Sequence, residues 1–243
     1  DKTSLVNNSL TDGYTNRVDN VLLGTASDLN LIKDYYNCVS QEMNNTGINT
    51  VVYSGYVKPT SEYEIFSDIN DKQIIYSSLV QNIFSNKNVN YGAYFGNISF
   101  ENDSFLENEN LIKAAINDDL DFIMTRDSYS FYWNKEIVIP EYLRSLEYAG
   151  LIMPSIRDFN GIYQNNDLSN SNAIKYCIEN GYDLIPLTIY TSNSQVSNNN
   201  TIIGALETTA QKIKDGEIDV NLVNAAVERI LLYKIRNGII NGT

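Results

Sequence analysis

The chain has 243 residues, 43% of them hydrophobic, which is enough for one substantial core in a single α/β domain over residues 1–243. Its formal net charge of -13 and its pI near 4.4 make the surface repel phosphate backbones, so nucleic acid is not an expected partner. Histidine is absent, which excludes Ser-His-Asp and Cys-His catalysis and nearly every histidine-ligated metal site. No apolar run reaches about 18 residues, so no membrane span is expected.

Short apolar strands alternate with amphipathic helices along the chain. The predicted helices span about 27–43, 71–84, 111–115, 140–150, 173–178, 201–214 and 219–236. The predicted strands span about 48–53, 89–95, 122–125, 151–153 and 184–187. Because the strands recur every 30 to 40 residues or so with a helix between them, the pattern indicates a parallel sheet covered by helices.

This spacing fits the βα units of a barrel or of an open sheet. An eight-stranded barrel usually takes about 250 residues, and only five units are clear, with residues 3–22 as a source of one or two more. The predicted fold class is therefore α/β, an incomplete or modified TIM (β/α) barrel. An unclosed barrel leaves a strand edge that residues 1–20, a long loop or another chain must cover, so a homodimer or a hetero-partner is a hypothesis.

Candidate metal ligands are few. The acidic group Asp118, Asp119 and Asp121 lies between a predicted helix and a predicted strand, where a solvated acidic turn is preferred over a calcium site. Cys38 and Cys177 lie in different predicted helices and are expected to be buried free thiols, with a disulfide as the alternative if they lie close together. Accordingly, no metal site and no cofactor are predicted.

The passage DGEIDVNLVNAAVERILLYKIRNGI (215–239) resembles a C-terminal signature of the family 3 glycoside hydrolases. The matching residues are Gly216, Ile218, Asp219, Arg229, Ile230, Leu231, Lys234 and Gly238. Four earlier passages resemble further family motifs in the same order, at 22–49, 112–125, 141–153 and 173–185. The resemblance implies a TIM barrel like that of the single-domain β-N-acetylhexosaminidases. By analogy it favours an exported or cell-surface setting in a bacterium, since such enzymes act on cell-wall amino sugars.

The position of the catalytic nucleophile departs from the family pattern. In the family, a strand ending "V-V-(I/F)-(S/T)-D" delivers the nucleophilic Asp; here residues 151–153 match the strand, Pro154 follows, and Ser155 replaces the Asp. A serine hydroxyl without a base neither attacks the anomeric carbon nor stabilises an oxocarbenium-like transition state. An alternative is that residues 157–162, RDFNGI, match the family's "S-D-W-E-G-I" after a three-residue insertion, which makes Asp158 a displaced nucleophile.

Other family site motifs are also altered. The substrate loop "K-H-F-P-G-H-G" falls on residues 93–97 with only Phe95 retained, and the sugar-gripping Arg falls near Glu64. The general acid/base His has no counterpart. Since ligand sites of TIM barrels lie at the C-terminal ends of the strands, the predicted substrate-binding residues are those at strand ends: Tyr94, Arg126, Asp127 and Ser155. For the Arg126–Asp127 pair, an exposed loop salt bridge is the alternative.

Two functional interpretations follow from these matches and losses. The preferred one is a non-catalytic module with a family 3 glycoside hydrolase-like fold that binds a glycan or a protein. The alternative is an active, β-N-acetylhexosaminidase-like O-glycosyl hydrolase that uses Asp158. An enzyme needs a concave pocket with paired carboxylates, and a binding module does not.

Overall fold

The computed structural model describes residues 15, 18–53, 56, 66–95, 103–125, 139–155, 170–187 and 202–240. The chain divides into two compact units, Asp1–Met124 and Thr125–Thr243. Whether they form one folding domain, as the sequence predicts, stays a prediction. Among the described residues, no helix combines the length and apolarity that crossing a membrane requires.

The elements of the first unit alternate as the sequence predicts. Its helices are α1 (Asn20–Thr25), α2 (Leu29–Asn45), α3 (Asn70–Ser85) and α4 (Asp103–Asn117). Its strands are β1 (Thr50–Tyr53), β2 (Asn90–Phe95) and β3 (Phe122–Thr125), the last ending at the boundary between the units. β1 pairs with β2 in parallel, with Val51 opposite Tyr91 and Val52 opposite Gly92.

The second unit contains one strand and four helices among its described residues. The elements are α5 (Ile139–Ser145), β4 (Leu151–Pro154), α6 (Asn170–Glu179), α7 (Ile202–Lys214) and α8 (Val220–Arg236). The strands form a four-stranded sheet in the order β1-β2-β3-β4. This open sheet with intervening helices confirms the predicted α/β class.

Residues 184–187 do not form the predicted fifth strand. The backbone N–H groups of Asp183 and Leu184 both donate to the carbonyl of Ile152, at 2.8 and 3.2 Å. Because both donors converge on one acceptor at the start of the segment, the evenly spaced ladder of a parallel pair is not made there. The apolar run therefore contacts β4 at one point without extending the sheet.

The N-terminus of α2 shows how local chemistry sets a helix boundary. The predicted helix at about 27–43 starts at Ser27, but Ser27 adopts a positive φ of 51° and Asp28 caps the helix instead. The Asp28 carboxylate accepts hydrogen bonds from the backbone N–H groups of Asn30 and Leu31, at 2.9 and 3.4 Å. A carboxylate at this position also interacts favourably with the helix dipole.

Aromatic rings fill the core of the first unit between its helices and β2. The Phe84 ring of α3 stacks on Tyr91 of β2 with 5.6 Å between centroids, and Tyr36 of α2 meets Phe84 edge-on at 6.0 Å. Phe66 contacts Tyr36 in the same manner, at 6.1 Å. Because these rings are buried, this face of β2 is the one that the helices cover.

The opposite face of β2 depends on a glycine. A Cβ placed on Gly92 would lie 2.3 Å from the ring of Phe122 in β3, which is far inside van der Waals contact. The Phe122 ring of β3 therefore occupies the space that a side chain at position 92 of β2 would need.

The second unit buries residues from α5, β4 and α6. Leu143, Leu151, Ile152, Ile174 and Cys177 are all buried. Cys177 is a free thiol, as predicted; Cys38, on α2 in the first unit, is also free but exposed, so its predicted burial is wrong. It lies beside the α2 stripe formed by Ile32, Tyr36, Val39 and Met43, on the solvent side of the helix.

Helix α8 contacts the second unit along one face but has no fully buried residue. Its half-buried residues recur at helical spacing, and they are Val223, Ala225, Ala226, Arg229, Ile230, Tyr233 and Asn237 just beyond its end. The aliphatic residues on its outer side are more than a third exposed. The half-buried stripe is the face that carries Arg229 towards the interior.

Candidate functional site

Tyr94 is the predicted ligand-binding residue that the structure describes in the first unit. It is half-buried and precedes the last residue of β2, in which Tyr91, Gly92, Ala93 and Phe95 are buried. Since Tyr91 stacks on the helix layer, Tyr94 lies with Gly92 on the opposite face. That face is the one a closed barrel would enclose, and Tyr94 lies near its C-terminal rim.

Ser155 is the predicted ligand-binding residue that the structure describes in the second unit. It directly follows β4 and is only 7% exposed. Its backbone N–H donates to the carbonyl of Thr125 at 2.8 Å, which fixes its position at the C-terminal end of the strand. The position where the family resemblance expects a nucleophilic carboxylate therefore carries a buried hydroxyl side chain.

The remaining predicted site residues, Arg126, Asp127 and Asp158, lie outside the described residues. Their roles stay predictions, as does the interpretation of Asp158 as a displaced nucleophile.

Asp183 was not among the predicted site residues, yet it is the most densely hydrogen-bonded carboxylate among the described residues of the second unit. Its side chain is 0% exposed and accepts from two arginines: Arg144 Nη2 at 2.6 Å and Arg229 Nε at 2.7 Å. The backbone N–H of Ile152 donates to the same carboxylate at 2.8 Å. Three charge-assisted or backbone hydrogen bonds thus compensate the burial of this charge.

Arg144 also ties this cluster to the backbone that enters β4. Its Nη1 donates to the carbonyls of Tyr148 and Gly150 at 2.6 and 2.7 Å, and its guanidinium lies over the Tyr148 ring at 5.6 Å. Burial lowers the pKa of Arg144 from its ordinary value; Asp183 acts in the opposite direction, and the nearby charge of Arg229 adds to the lowering. The cluster joins α5, the start of β4, the segment after α6, and α8.

The cluster lies at the N-terminal end of β4, because Ile152 is the second residue of that strand. In barrels of this kind the C-terminal strand ends carry ligands, whereas the N-terminal ends contribute stability. Asp183, Arg144 and Arg229 are therefore assigned to holding the fold. A signal did exist in the sequence, since each of the three lies within a passage that carries the family resemblance.

A second carboxylate cluster lies in the first unit, between α4 and β3. Asp118 Oδ2 accepts hydrogen bonds from the hydroxyls of Tyr56 and Ser78, both at 2.5 Å, and Gln81 Nε2 donates to the Asp118 carbonyl at 3.1 Å. Burial, with a smaller contribution from Asp118, raises the pKa of Tyr56 far above its ordinary value. Tyr56 is therefore a permanent hydrogen-bond donor at physiological pH.

This arrangement corrects the prediction of a solvated acidic turn. Asp119 is exposed, but Asp118 is half-buried and committed to two hydroxyl groups. Within the described ranges, no group of three or more Asp, Glu, Cys or His side chains is placed to hold a metal ion.

The sequence matches no protein-family model and no curated protein. Solved structures do match. A glycoside hydrolase family 3 β-N-acetylglucosaminidase from Paenibacillus sp. str. FPU-7 is 17% identical with a TM-score of 0.72, over 96% of this chain and 48% of that one. The β-N-acetylglucosaminidase from Thermotoga maritima is 14% identical with a TM-score of 0.67, over 91% of this chain and 51% of that one.

A shorter relative extends this comparison. A glycosyl hydrolase of the GH3 family from Mycobacterium smegmatis is 13% identical with a TM-score of 0.63, over 93% of this chain and 73% of that one. The chain thus spans about half the length of the β-N-acetylglucosaminidases it matches. These similarities show the fold, which is that of family 3 glycoside hydrolase structures, as the sequence motifs predict. The described strands form an open parallel sheet, as expected of an incomplete barrel.

Proposed function

We propose that this chain is a non-catalytic module with a family 3 glycoside hydrolase-like fold, and that it binds a glycan. The observation that carries the proposal is Ser155, buried directly after β4 where the family motif places its nucleophilic Asp. The other predicted partner class, a protein, including a second copy that covers the open sheet edge, is the competing outcome of the binding test.

The chemical argument rests on what retaining hydrolysis requires. Two carboxyl groups about 5–5.5 Å apart must flank the glycosidic bond, one as nucleophile and one as acid and base. Ser155 supplies no carboxylate, and a serine hydroxyl needs an adjacent base to become a nucleophile. The chain has no histidine to play the acid/base role of the family's His–Asp pair. Each of these two losses removes a separate part of the mechanism.

The glycan assignment is supported by Tyr94. Its half-buried side chain lies on the face of β2 opposite the helices, near the C-terminal end of the strand. Aromatic faces stack on sugar rings, and a tyrosine adds a hydroxyl for a polar contact. The structures similar to this chain include β-N-acetylglucosaminidases, so oligosaccharides of N-acetylglucosamine are the first ligands to test.

Hydrolysis is the first experiment. We expect wild-type protein, Ser155→Ala and Asp158→Asn to show no turnover of chromogenic β-N-acetylglucosaminide or β-glucoside above the buffer rate. Turnover by the wild type that is lost in Asp158→Asn and retained in Ser155→Ala would contradict the proposal and establish the alternative, an active O-glycosyl hydrolase with a displaced nucleophile. Circular dichroism of each variant checks that it is folded.

Binding is the second experiment, and it has a matched control. Titration calorimetry with N-acetylglucosamine oligosaccharides should give a measurable affinity that Tyr94→Leu weakens about tenfold, equivalent to about 1.4 kcal/mol. Tyr233→Leu removes another half-buried tyrosine, on α8, and should leave the affinity unchanged. An equal loss in both variants, or no glycan affinity at all, would contradict glycan binding and favour a protein partner.

A further inference from the structure

A pocket of about 300 Å³ lies in the helix layer of the second unit, between α5, the end of α6 and α8. Ile178, Leu222 and Ala225 form an apolar part of its lining, whereas Arg144, Arg229 and Glu141 provide charge. The pocket adjoins the Asp183 cluster, at the opposite end of β4 from Ser155. The proposed glycan site does not use it.

The cluster beside this pocket has more donors than acceptors. Arg229 donates through Nε to Asp183, and its two Nη groups have no hydrogen-bond partner among the described residues. Arg144 Nε is buried and also lacks a partner there. Both oxygens of Asp183 already accept, as do the carbonyls to which Arg144 donates. Any additional acceptor, from solvent or from a ligand, therefore comes from outside the cluster.

The charges around the pocket also favour a bound anionic group. Both guanidinium groups pair with the single carboxylate of Asp183, so the two positive charges exceed their paired negative charge by one. The mutual repulsion of the two arginines contributes to the lowered pKa of Arg144, after burial, and a bound anion would relieve it. Of the two acidic residues in the lining, Glu179 is already paired with Lys175, so Glu141 is the carboxylate left to face a ligand.

We propose that this pocket binds a small zwitterionic amino acid with an apolar side chain. The Nη groups of Arg229 would hold the ligand carboxylate in the forked geometry that guanidinium favours. Ile178, Leu222 and Ala225 would contact the apolar body, and Glu141 would face the ammonium group. The site is independent of the proposed glycan-binding function, and it involves no chemistry on the ligand.

Three probes that share the isobutyl side chain of leucine test the assignment by titration calorimetry on the full chain. They are L-leucine, 4-methylpentanoate, which lacks the amino group, and 3-methylbutylamine, which lacks the carboxylate. We expect leucine to bind, 4-methylpentanoate to bind about tenfold more weakly, and the amine not to bind at millimolar concentrations. The absence of leucine binding at those concentrations, or amine binding equal to that of leucine, would overturn the proposal.

Three variants distinguish a loss of leucine binding from a loss of folding stability. Ala225→Leu fills the pocket without touching the charge cluster and should weaken leucine binding at least about tenfold. Arg229→Lys keeps a cation near Asp183 but loses the forked guanidinium. It should therefore weaken the binding of leucine and of 4-methylpentanoate by the same factor. Glu141→Gln should lower the affinity for leucine and leave the affinity for 4-methylpentanoate unchanged. Leucine affinity that survives Ala225→Leu, in a variant with wild-type thermal unfolding, would overturn the assignment.

Discussion

The two ends of strand β4 differ in the charge they carry. At the N-terminal end, the Ile152 N–H, Arg144 and Arg229 converge on the fully buried Asp183 carboxylate. At the C-terminal end, Ser155 is held by a backbone hydrogen bond to Thr125 and contributes no ionisable group. In barrels the first end contributes stability and the second carries chemistry. The charges that hold the fold are thus present, while the position expected to carry the nucleophile has none.

This difference teaches that a fold and its chemistry depend on separate sets of residues. The Asp183 cluster ties α5, α8 and the entry to β4 together whether or not a substrate is turned over. Similarity to enzyme structures that rests on such a cluster therefore shows architecture and carries no information about catalysis. Variants at the two ends should accordingly affect different measurements.

The largest expected effect follows from Asp183→Asn. The amide removes the negative charge and leaves two half-buried guanidinium groups facing each other, so we expect a loss of about 3–5 kcal/mol in the free energy of unfolding. Urea unfolding of the two proteins measures the difference, provided that the dependence on urea concentration stays the same.

The matched control is Asp215→Asn, an exposed carboxylate that accepts one hydrogen bond from Gln211. Its cost should stay within about 0.5 kcal/mol. If Asp183→Asn cost no more than this control, the cluster would not be the element that stabilises the N-terminal end of β4.

The next effect in size belongs to Ser155→Asp, which places a carboxylate at the family's nucleophile position. Because the site is only 7% exposed, we expect a loss of about 1–3 kcal/mol at pH 8 and still no turnover of β-N-acetylglucosaminide. Burial raises the pKa of an introduced carboxylate, so the loss should shrink as the pH falls towards 5. Ser155→Ala is the control, with a small loss that does not change with pH.

Turnover in Ser155→Asp would contradict the conclusion that the C-terminal end of β4 has lost its chemistry, because it would mean that this chain retains every other catalytic group. A loss that is independent of pH would instead mean that the new carboxylate reaches solvent.

A smaller effect concerns Asp118, a carboxylate directly after α4 that has hydroxyl partners instead of arginines. Tyr56→Phe removes one of these two donors and should cost about 1 kcal/mol at pH 7. The pKa of Tyr56 is raised, so the native state keeps the phenol proton after the unfolded chain has lost it. Above pH 10 the free energy of unfolding of the wild type should therefore fall by about 1.4 kcal/mol per pH unit.

The stability difference between wild type and Tyr56→Phe should therefore shrink from pH 7 to pH 11. Urea unfolding across this pH range measures it, with Ser78→Ala as the matched variant: it removes the other hydroxyl without removing a titrating group. A difference that stays constant with pH would show that Tyr56 titrates normally, against its buried position.

Elements governed by local periodicity were predictable from the sequence. The predicted strand at 122–125 coincides with Phe122–Thr125, and the predicted helix at 219–236 begins one residue later, at Val220. Their limits depend on neighbouring residues, such as the Asp219 cap, which accepts from the N–H of Asn221. The run 184–187 was misassigned because an apolar stretch predicts burial and does not specify a hydrogen-bond partner.

The Asp183 cluster was less predictable, since its contacts are distant in sequence. Asp183 meets Arg144 across 39 positions and Arg229 across 46, and no periodic pattern links such residues. The exposure of Cys38 was missed for a related reason: a helix position next to a buried stripe cannot be oriented from composition alone. In contrast, the serine at the end of β4 was identified because a motif specifies its neighbours.

The contact between Gly92 and Phe122 has a consequence for recognising distant homologues. The Phe122 ring fills the volume that a β-carbon at position 92 would take, so the sizes of the two residues are linked across neighbouring strands. Any kindred chain with a larger residue at the first position is expected to carry a smaller one at the second. This reciprocal pair, 30 positions apart, offers a two-letter test of shared ancestry where overall identity has fallen too low to be useful.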